Sequence, residues 1–272
     1  MDSKQEAKRQ YMTTAPVRGL VLRMAVPTII SMLITNIYNM ADTFFVGKLG
    51  TSATAAVGVV FPLMSVIQTF GFFFGHGSGN YISRAMGSQK MEDAEQMAVT
   101  GFGSSFLFGV ILMILGLLFQ DPLARLLGST DTILPYAKEY LCVILLGAPF
   151  MASSLTLNNQ LRFQGSAFFG MIGITTGGIL NIFLDPLFIF VLDMGISGAA
   201  WATIISQMIS FLILLMMTRA GGNIRIRLKK YSLKRSFWKE IVRGGTPSLC
   251  RQGLASVATI CLNHAALPYG DE

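Results

Sequence analysis

The stretch AVTGFGSSFLFGVILMILGLLF, residues 98–119, contains no ionisable side chain. A helix rises about 1.5 Å per residue, so a run of this length can cross the ~30 Å hydrocarbon layer of a bilayer. A single such run can also be a buried helix of a soluble core. This chain has seven, at roughly 24–46, 57–82, 98–119, 134–161, 164–192, 195–218 and 244–268. Seven runs joined by short connections predict an all-α integral membrane protein.

The composition agrees with this class of protein. The chain has 272 residues, of which 52% are hydrophobic and 13% charged, whereas soluble domains carry about 25% charged residues. The three cysteines, Cys142, Cys250 and Cys261, fall in predicted spans without metal-ligand spacing, and we interpret them as small apolar residues. The motifs GxSxG and HExxH are missing from the sequence. We therefore expect a protein that is not an enzyme and that uses no cofactor.

The positive charges predict the orientation in the membrane. The formal net charge is +7. With a cytoplasmic N-terminus, 17 of the 21 Lys and Arg residues fall in inside segments, and only Lys48, Arg125 and Lys138 fall outside, while Arg251 lies in the last span. Such a bias is the positive-inside pattern of multi-pass proteins. It predicts a plasma-membrane protein, and it explains the basic surplus without a nucleic-acid partner.

Three segments are predicted. Residues 1–219 form a six-helix transmembrane lobe, residues 220–243 a cytoplasmic basic linker, and residues 244–272 the start of a second lobe with a partial seventh helix. The linker contains Phe237 and Trp238 among its basic residues. Two interpretations stay open, an amphipathic segment lying at the inner membrane surface and a plain solvated loop.

Two acidic residues, Asp42 and Asp185, lie well inside apolar spans. A carboxylate in the membrane is costly unless it faces a cavity or a partner, so each is a candidate functional residue. Asp42 can instead mark a helix end near Gly47. Asp185 is followed by Pro186 and a further apolar run, and proline frees a backbone carbonyl in the preceding turn where an ion or water can bind.

The predicted topology brings several polar residues to one depth. At ~1.5 Å per residue, Asp42, Tyr140, Asp185 and Thr203 all fall within roughly 12 Å of the outer boundary. Asn181 precedes Asp185 by four residues and shares its helical face. Two carboxylates with amide and hydroxyl oxygens can hold a small hard cation or share a proton.

Four motifs resemble the multidrug and toxic compound extrusion (MATE) family. Residues 27–50, PTIISMLITNIYNMADTFFVGKLG, are similar to the family's first helix with its intramembrane Asp. Residues 77–87, GSGNYISRAMG, resemble the end of its second helix. The Asn-x-x-x-Asp-Pro pattern of the fifth helix is similar to residues 181–190, NIFLDPLFIF, and residues 195–207, GISGAAWATIISQ, open the sixth.

The resemblance implies a transporter of twelve helices in two facing lobes. Such a protein exports cationic or amphipathic drugs against inward Na⁺ or H⁺ by alternating access, and a bound Na⁺ is then the only metal expected. Carried over to this sequence, the cation site is Asp42, Asn181, Asp185 and Thr203, and the substrate pocket includes Tyr140 and Asn158. We expect cation binding to change helix packing around two hinge prolines, Pro27 and Pro186.

The C-terminal residues resemble the start of a repeat. Pro27 and Gly50 are separated by 23 residues, as are Pro247 and Gly270, and repeated halves are common in transporters. Leu262 then stands where the first half has its aspartate. We expect a truncated protein whose partner, the second lobe, is missing.

Three alternatives remain at the level of sequence. A flippase for lipid-linked oligosaccharides shares the fold but favours a cationic cavity, whereas the buried charge here is acidic. A membrane acyl- or prenyltransferase needs an acidic or HxxxxD-type site that we do not find. A non-transporting fragment is the third alternative. The coupling ion, the substrates and the oligomeric state stay undetermined.

Overall fold

The computed structural model describes residues 3–266, and the regular structure within that range is helical. The helices are α1 (Ser3–Thr14), α2 (Val17–Gly47), α3 (Thr51–Gly87), α4 (Met91–Leu118), α5 (Gln120–Leu126), α6 (Leu134–Phe163), α7 (Ala167–Pro186), α8 (Gly195–Met217) and α9 (Arg235–Ala266). A π-helical turn, Leu187–Val191, continues α7, and a 3₁₀ turn, Leu228–Lys230, precedes α9.

Six helices in the described range are long and apolar enough to cross a membrane. They are α2, α3, α4, α6, α7 with its π-helical turn, and α8. Each of the first six predicted spans overlaps one of them. The predicted all-α multi-pass membrane bundle is therefore confirmed.

Helix α6 lies at the centre of the bundle. It packs against α3 and α4 on one side and against α7 and α8 on the other, while α2 packs chiefly on α7 and α9 on α3. The α3–α6 contact requires a glycine, since a Cβ placed on Gly71 would lie 2.9 Å from the carbonyl oxygen of Ala152. Small residues in such positions let membrane helices approach closely. We call the side of the bundle on which α2 begins the N-terminal face.

Proline residues interrupt the backbone ladder of several spans. Pro27 and Pro149 lie inside α2 and α6. Pro186 ends α7, and the chain then widens into the π-helical turn Leu187–Val191. Local π-helix occurs frequently at functional sites. The hinge role of Pro27 and Pro186 stays a prediction.

Helix α9 differs from the predicted seventh span. It begins at Arg235, inside the segment assigned to the linker, and it is not among the six apolar spans. It lies along α3. Near the start of α9, Glu240 forms an ion pair with Arg84 of α3. Near its end, the Asn263 amide donates to the Leu127 carbonyl at 3.2 Å. Residues 267–272, which include Gly270 of the predicted repeat, lie outside the described residues.

His76 and Ser248 join α3 to α9 near the middle of this contact. The Nδ1 atom of His76 lies 2.6 Å from the Ser248 hydroxyl. The imidazole stacks on Phe72 and meets the edge of Phe163. This histidine therefore packs at a helix interface.

The linker is held against the N-terminal half of α4. Its Lys230 ammonium lies 2.5 Å from the Glu95 carboxylate, and the hydroxyls of Tyr231 and Ser104 are 3.2 Å apart. Phe237 is only 3% exposed and contacts the ring of Tyr81 on α3. This aromatic residue therefore packs against protein and does not face the bilayer surface.

Candidate cation site and adjoining cavity

Asp185, Asn181 and Thr203 form a buried polar group between α7 and α8. Asp185 is 0% exposed, and the other two side chains are also buried. The Asn181 amide donates to the Asp185 carboxylate at 3.1 Å and lies 3.5 Å from the Thr203 hydroxyl. The four-residue spacing of Asn181 and Asp185 places both on one face of α7. This part of the predicted cation site is assembled as the helix geometry requires.

Asp42 approaches the same group from α2. Its side chain is half-buried, and its carboxylate interacts electrostatically with that of Asp185. Tyr140, on α6, is fully buried and lies close enough to Asp42 and Asp185 to interact with both electrostatically. Four helices thus bring two carboxylates, an amide and two hydroxyls to one region of the bundle.

Four buried oxygen atoms at this site have no hydrogen-bond partner among the described residues. They are the Tyr140 hydroxyl oxygen and three acceptors, namely one carboxylate oxygen of Asp42, one of Asp185, and the amide oxygen of Asn181. Leaving a buried acceptor unpaired costs about 1–3 kcal/mol, and more for a charged one. A cation or a proton supplies what these oxygens lack. Hard oxygen donors suit Na⁺ better than a soft metal.

The acidic groups can hold a small hard cation or share a proton. The described residues contain no cluster of three or more His, Cys, Asp or Glu side chains that could hold a metal ion. Two carboxylates and neutral oxygens remain. One small cation or one shared proton lowers the repulsion between the two acids.

A cavity of about 320 Å³ adjoins the site on the side of the N-terminal face. Helices α2, α6, α7 and α8 form its walls, with two residues of α3. Its polar lining consists of Thr28, Ser31, Thr35, Asn36, Tyr38, Gln68, Asn158, Arg162, Asn181, Thr203, Ser206, Gln207 and Ser210. Asn181 and Thr203 therefore belong to both the cation site and the cavity wall.

The two residues predicted for a substrate pocket lie in different places. Asn158 lines the cavity and donates to the Gly170 carbonyl at 2.9 Å. Tyr140 lies beside the carboxylates and is not among the residues that line the cavity. Both are on α6, about 27 Å apart along the helix at 1.5 Å per residue. Their role in binding a substrate stays a prediction.

Sequence reasoning missed several residues on the cavity wall. Ser206 and Ser210 follow Thr203 at three and seven residues on α8, a helical spacing that could have indicated a shared face. Arg162 also lines the cavity, and it forms no ion pair with the residues that the structure describes.

A sequence model of the MatE family matches residues 27–187, more than half of the chain. The match contains Asp42, Tyr140, Asn181 and Asp185. The chain belongs to the MatE family. The predicted resemblance to the MATE family is thereby confirmed.

Individual relatives support the same family membership. The chain is 28% identical over 263 residues to the multidrug export protein MepA of Staphylococcus haemolyticus, covering 96% of this chain and 58% of the relative. An outward-facing multidrug resistance MATE transporter matches with 31% identity and a TM-score of 0.85, over 100% of this chain and 60% of that one. An inward-facing form matches with 32% identity and a TM-score of 0.82, over 93% and 58%.

The chain thus spans about 58% of the length of the curated relative it matches. The fold of the described bundle is that of the corresponding part of MATE transporters. What the whole relatives export, and what drives them, belongs to those proteins.

Proposed function

We propose that this bundle is the cation-binding lobe of an exporter that moves cationic or amphipathic small molecules out of the cell in exchange for Na⁺ or H⁺. The observation that carries the proposal is the convergence of Asp42 and Asp185 beside a cavity within the bundle. Membership of a transporter family favours this function over a membrane acyl- or prenyltransferase.

The carboxylate pair supplies a reason for coupling. A ligand shifts a conformational equilibrium only through its different affinity for the two states. An empty pair holds unpaired buried oxygens and repelling charges, and both penalties fall when a cation or proton binds. Proline frees backbone carbonyls in the preceding turn, so helix packing can change at Pro27 or Pro186. Such a change then links occupancy of the carboxylate pair to the accessibility of the cavity.

The volume and the lining of the cavity are consistent with a small organic substrate. Its volume falls at the lower end of the range of about 300–1,000 Å³ for small-molecule sites. Tyr38 and Phe72 on its wall can face a cation, and Met32 and Met151 offer adaptable apolar contacts. This mixture suits amphipathic cations of varied shape.

The flippase alternative makes a different demand on the same cavity. An anionic lipid-linked substrate needs basic side chains along its path, and Arg162 is the basic residue among those that line the cavity. The acidic pair lies at the other end, where a diphosphate would be repelled. We therefore favour export of cations.

We place the N-terminal face in the cytoplasm. The positive charges of the sequence support this orientation, and substrates would then enter the cavity from the cell interior or the inner leaflet. A protease or antibody site added before α1 tests it, since an epitope exposed on the outside of intact cells would reverse the orientation.

The test of the function is ethidium export from vesicles that carry this bundle within a complete two-lobe transporter, driven by a pH gradient alone and then by a sodium gradient alone. We expect one gradient to drive export and the Asp42→Asn and Asp185→Asn variants to abolish it. Asp193→Asn is a matched control, because Asp193 is exposed at the end of the same span and its positive φ of 52° suits asparagine. Normal export by either intramembrane variant would refute the proposal.

A further inference from the structure

Two serine hydroxyls on α8 are buried without a partner. Ser206 and Ser210 are each 2% exposed, and neither hydroxyl makes a hydrogen bond to the described residues. Serines in membrane helices usually bond to a carbonyl one turn earlier, as Ser153 does with Pro149 here. A buried polar group without a protein partner points to unseen water.

Both serine residues belong to the wall of the cavity next to the candidate cation site. They continue a row that starts at Thr203, and the row covers about 10 Å at 1.5 Å per residue. Gly177 on α7 lies opposite, where an added Cβ would come within 2.8 Å of the Ser210 Cβ atom. The glycine leaves this seam between α7 and α8 lined by small and polar groups.

The seam has a polar end and an apolar end. At the polar end, Asn181 lies 3.5 Å from Thr203 and bonds to Asp185. At the other end, Leu214 is fully buried and packs over Gly173. Asn158 and Arg162 also line the cavity.

We propose that the hydroxyls of Thr203, Ser206 and Ser210 hold a file of water molecules that connects Asp185 to the cavity at the N-terminal face. The cavity has room for several waters, each of which occupies about 30 Å³ in the liquid. Each serine hydroxyl can donate to one water and accept from another. Within this lobe, the file then carries the monovalent cation or proton between the carboxylates and the N-terminal side. This role rests on the proposed function.

Thiol accessibility tests the file without any transport measurement. In a chain with its three native cysteines replaced by alanine, the Ser206→Cys and Ser210→Cys variants are treated with a water-soluble, positively charged methanethiosulfonate from the N-terminal side. The matched control is Ser154→Cys, because Ser154 is 0% exposed, bonds to the Met151 carbonyl at 3.1 Å and does not line the cavity.

We expect both α8 variants to react at least about tenfold faster than the control, since thiols away from water are inert. Equal rates at the three positions would overturn the proposal. Radiolytic labelling of the unsubstituted chain gives a second readout, in which Met151 on the cavity wall oxidises faster than Met97 in the core of α4. Equal oxidation of the two methionines would also overturn it.

The two proposals fail in different experiments. Both readouts report water and do not depend on export. Loss of the proposed function would appear as unchanged export by the Asp185→Asn variant, whatever the thiols show. A dry seam would remove the water file and leave the cation site in place.

Discussion

Replacing Gly177 by alanine should destabilise the bundle at the contact between α7 and α8. The new Cβ would lie 2.8 Å from the Ser210 Cβ atom and 3.1 Å from the Ser206 carbonyl oxygen, whereas carbon atoms pack best at about 3.5–4.0 Å. The two helices must separate by roughly 0.5–1 Å, which forfeits a quarter to a half of each dispersion contact in the seam.

Gly58→Ala is the matched control. Gly58 is an exposed helical residue of α3 with nothing within 4 Å of its Cβ position. Both substitutions gain the same helix propensity, up to about 1 kcal/mol, so their difference isolates the steric cost. Overpacking costs about 1–3 kcal/mol, and we expect Gly177→Ala to be less stable than Gly58→Ala by that amount.

The assay is reversible unfolding in mixed micelles, followed by circular dichroism. The Gly177→Ala/Ser210→Gly double variant removes the clashing atom and should recover most of the loss, because the two positions are in direct contact. A difference of less than about 0.5 kcal/mol between Gly177→Ala and Gly58→Ala, the usual size of an inconsequential surface change, would refute this account of the seam.

Three further predictions concern other contacts of the bundle. Asp185→Asn should weaken cation binding by roughly 30- to 1,000-fold, since a unit charge at about 4 Å contributes up to about 4 kcal/mol at an effective dielectric of 20; titration calorimetry would show it, and a change under threefold would contradict it. His76→Ala and Ser248→Ala should each cost about 1 kcal/mol and be non-additive, because they share one hydrogen bond; an additive double-mutant cycle would argue against that bond. Lys230→Gln should cost at most about 1 kcal/mol despite its ion pair with Glu95, and a larger loss in thermal unfolding would show that the linker depends on this pair.

The membrane spans were predictable because they depend on local composition. A run such as 98–119 has no charged side chain, so the whole run can lie within the hydrocarbon layer. A backbone in lipid must then form helix to satisfy its hydrogen bonds. The start of α9 was not predictable in this way. Arg235 and Glu240 look like loop residues in a charged segment, but Phe237 is helical and packs against Tyr81.

The candidate cation site was partly predictable. Each of its acidic residues stands out in an apolar run, and helix rise places Asp42 and Asp185 at one depth. Which face of each helix points inward is a separate matter, since an all-round apolar helix gives no stripe to orient it. The cavity wall depended on that rotation, and Ser206 and Ser210 were missed for this reason.

The amino-acid sequence by itself determined that this chain forms membrane helices, roughly where they lie, and which two carboxylates are costly inside them. Only the tertiary structure decided that Asp42 and Asp185 lie close enough to interact electrostatically, that Asn158 lines a cavity while Tyr140 does not, and that this cavity adjoins the site. The physical reason is that hydrocarbon selects helices residue by residue, whereas close contact between helices depends on pairs such as Gly177 and Ser210 that are distant in sequence.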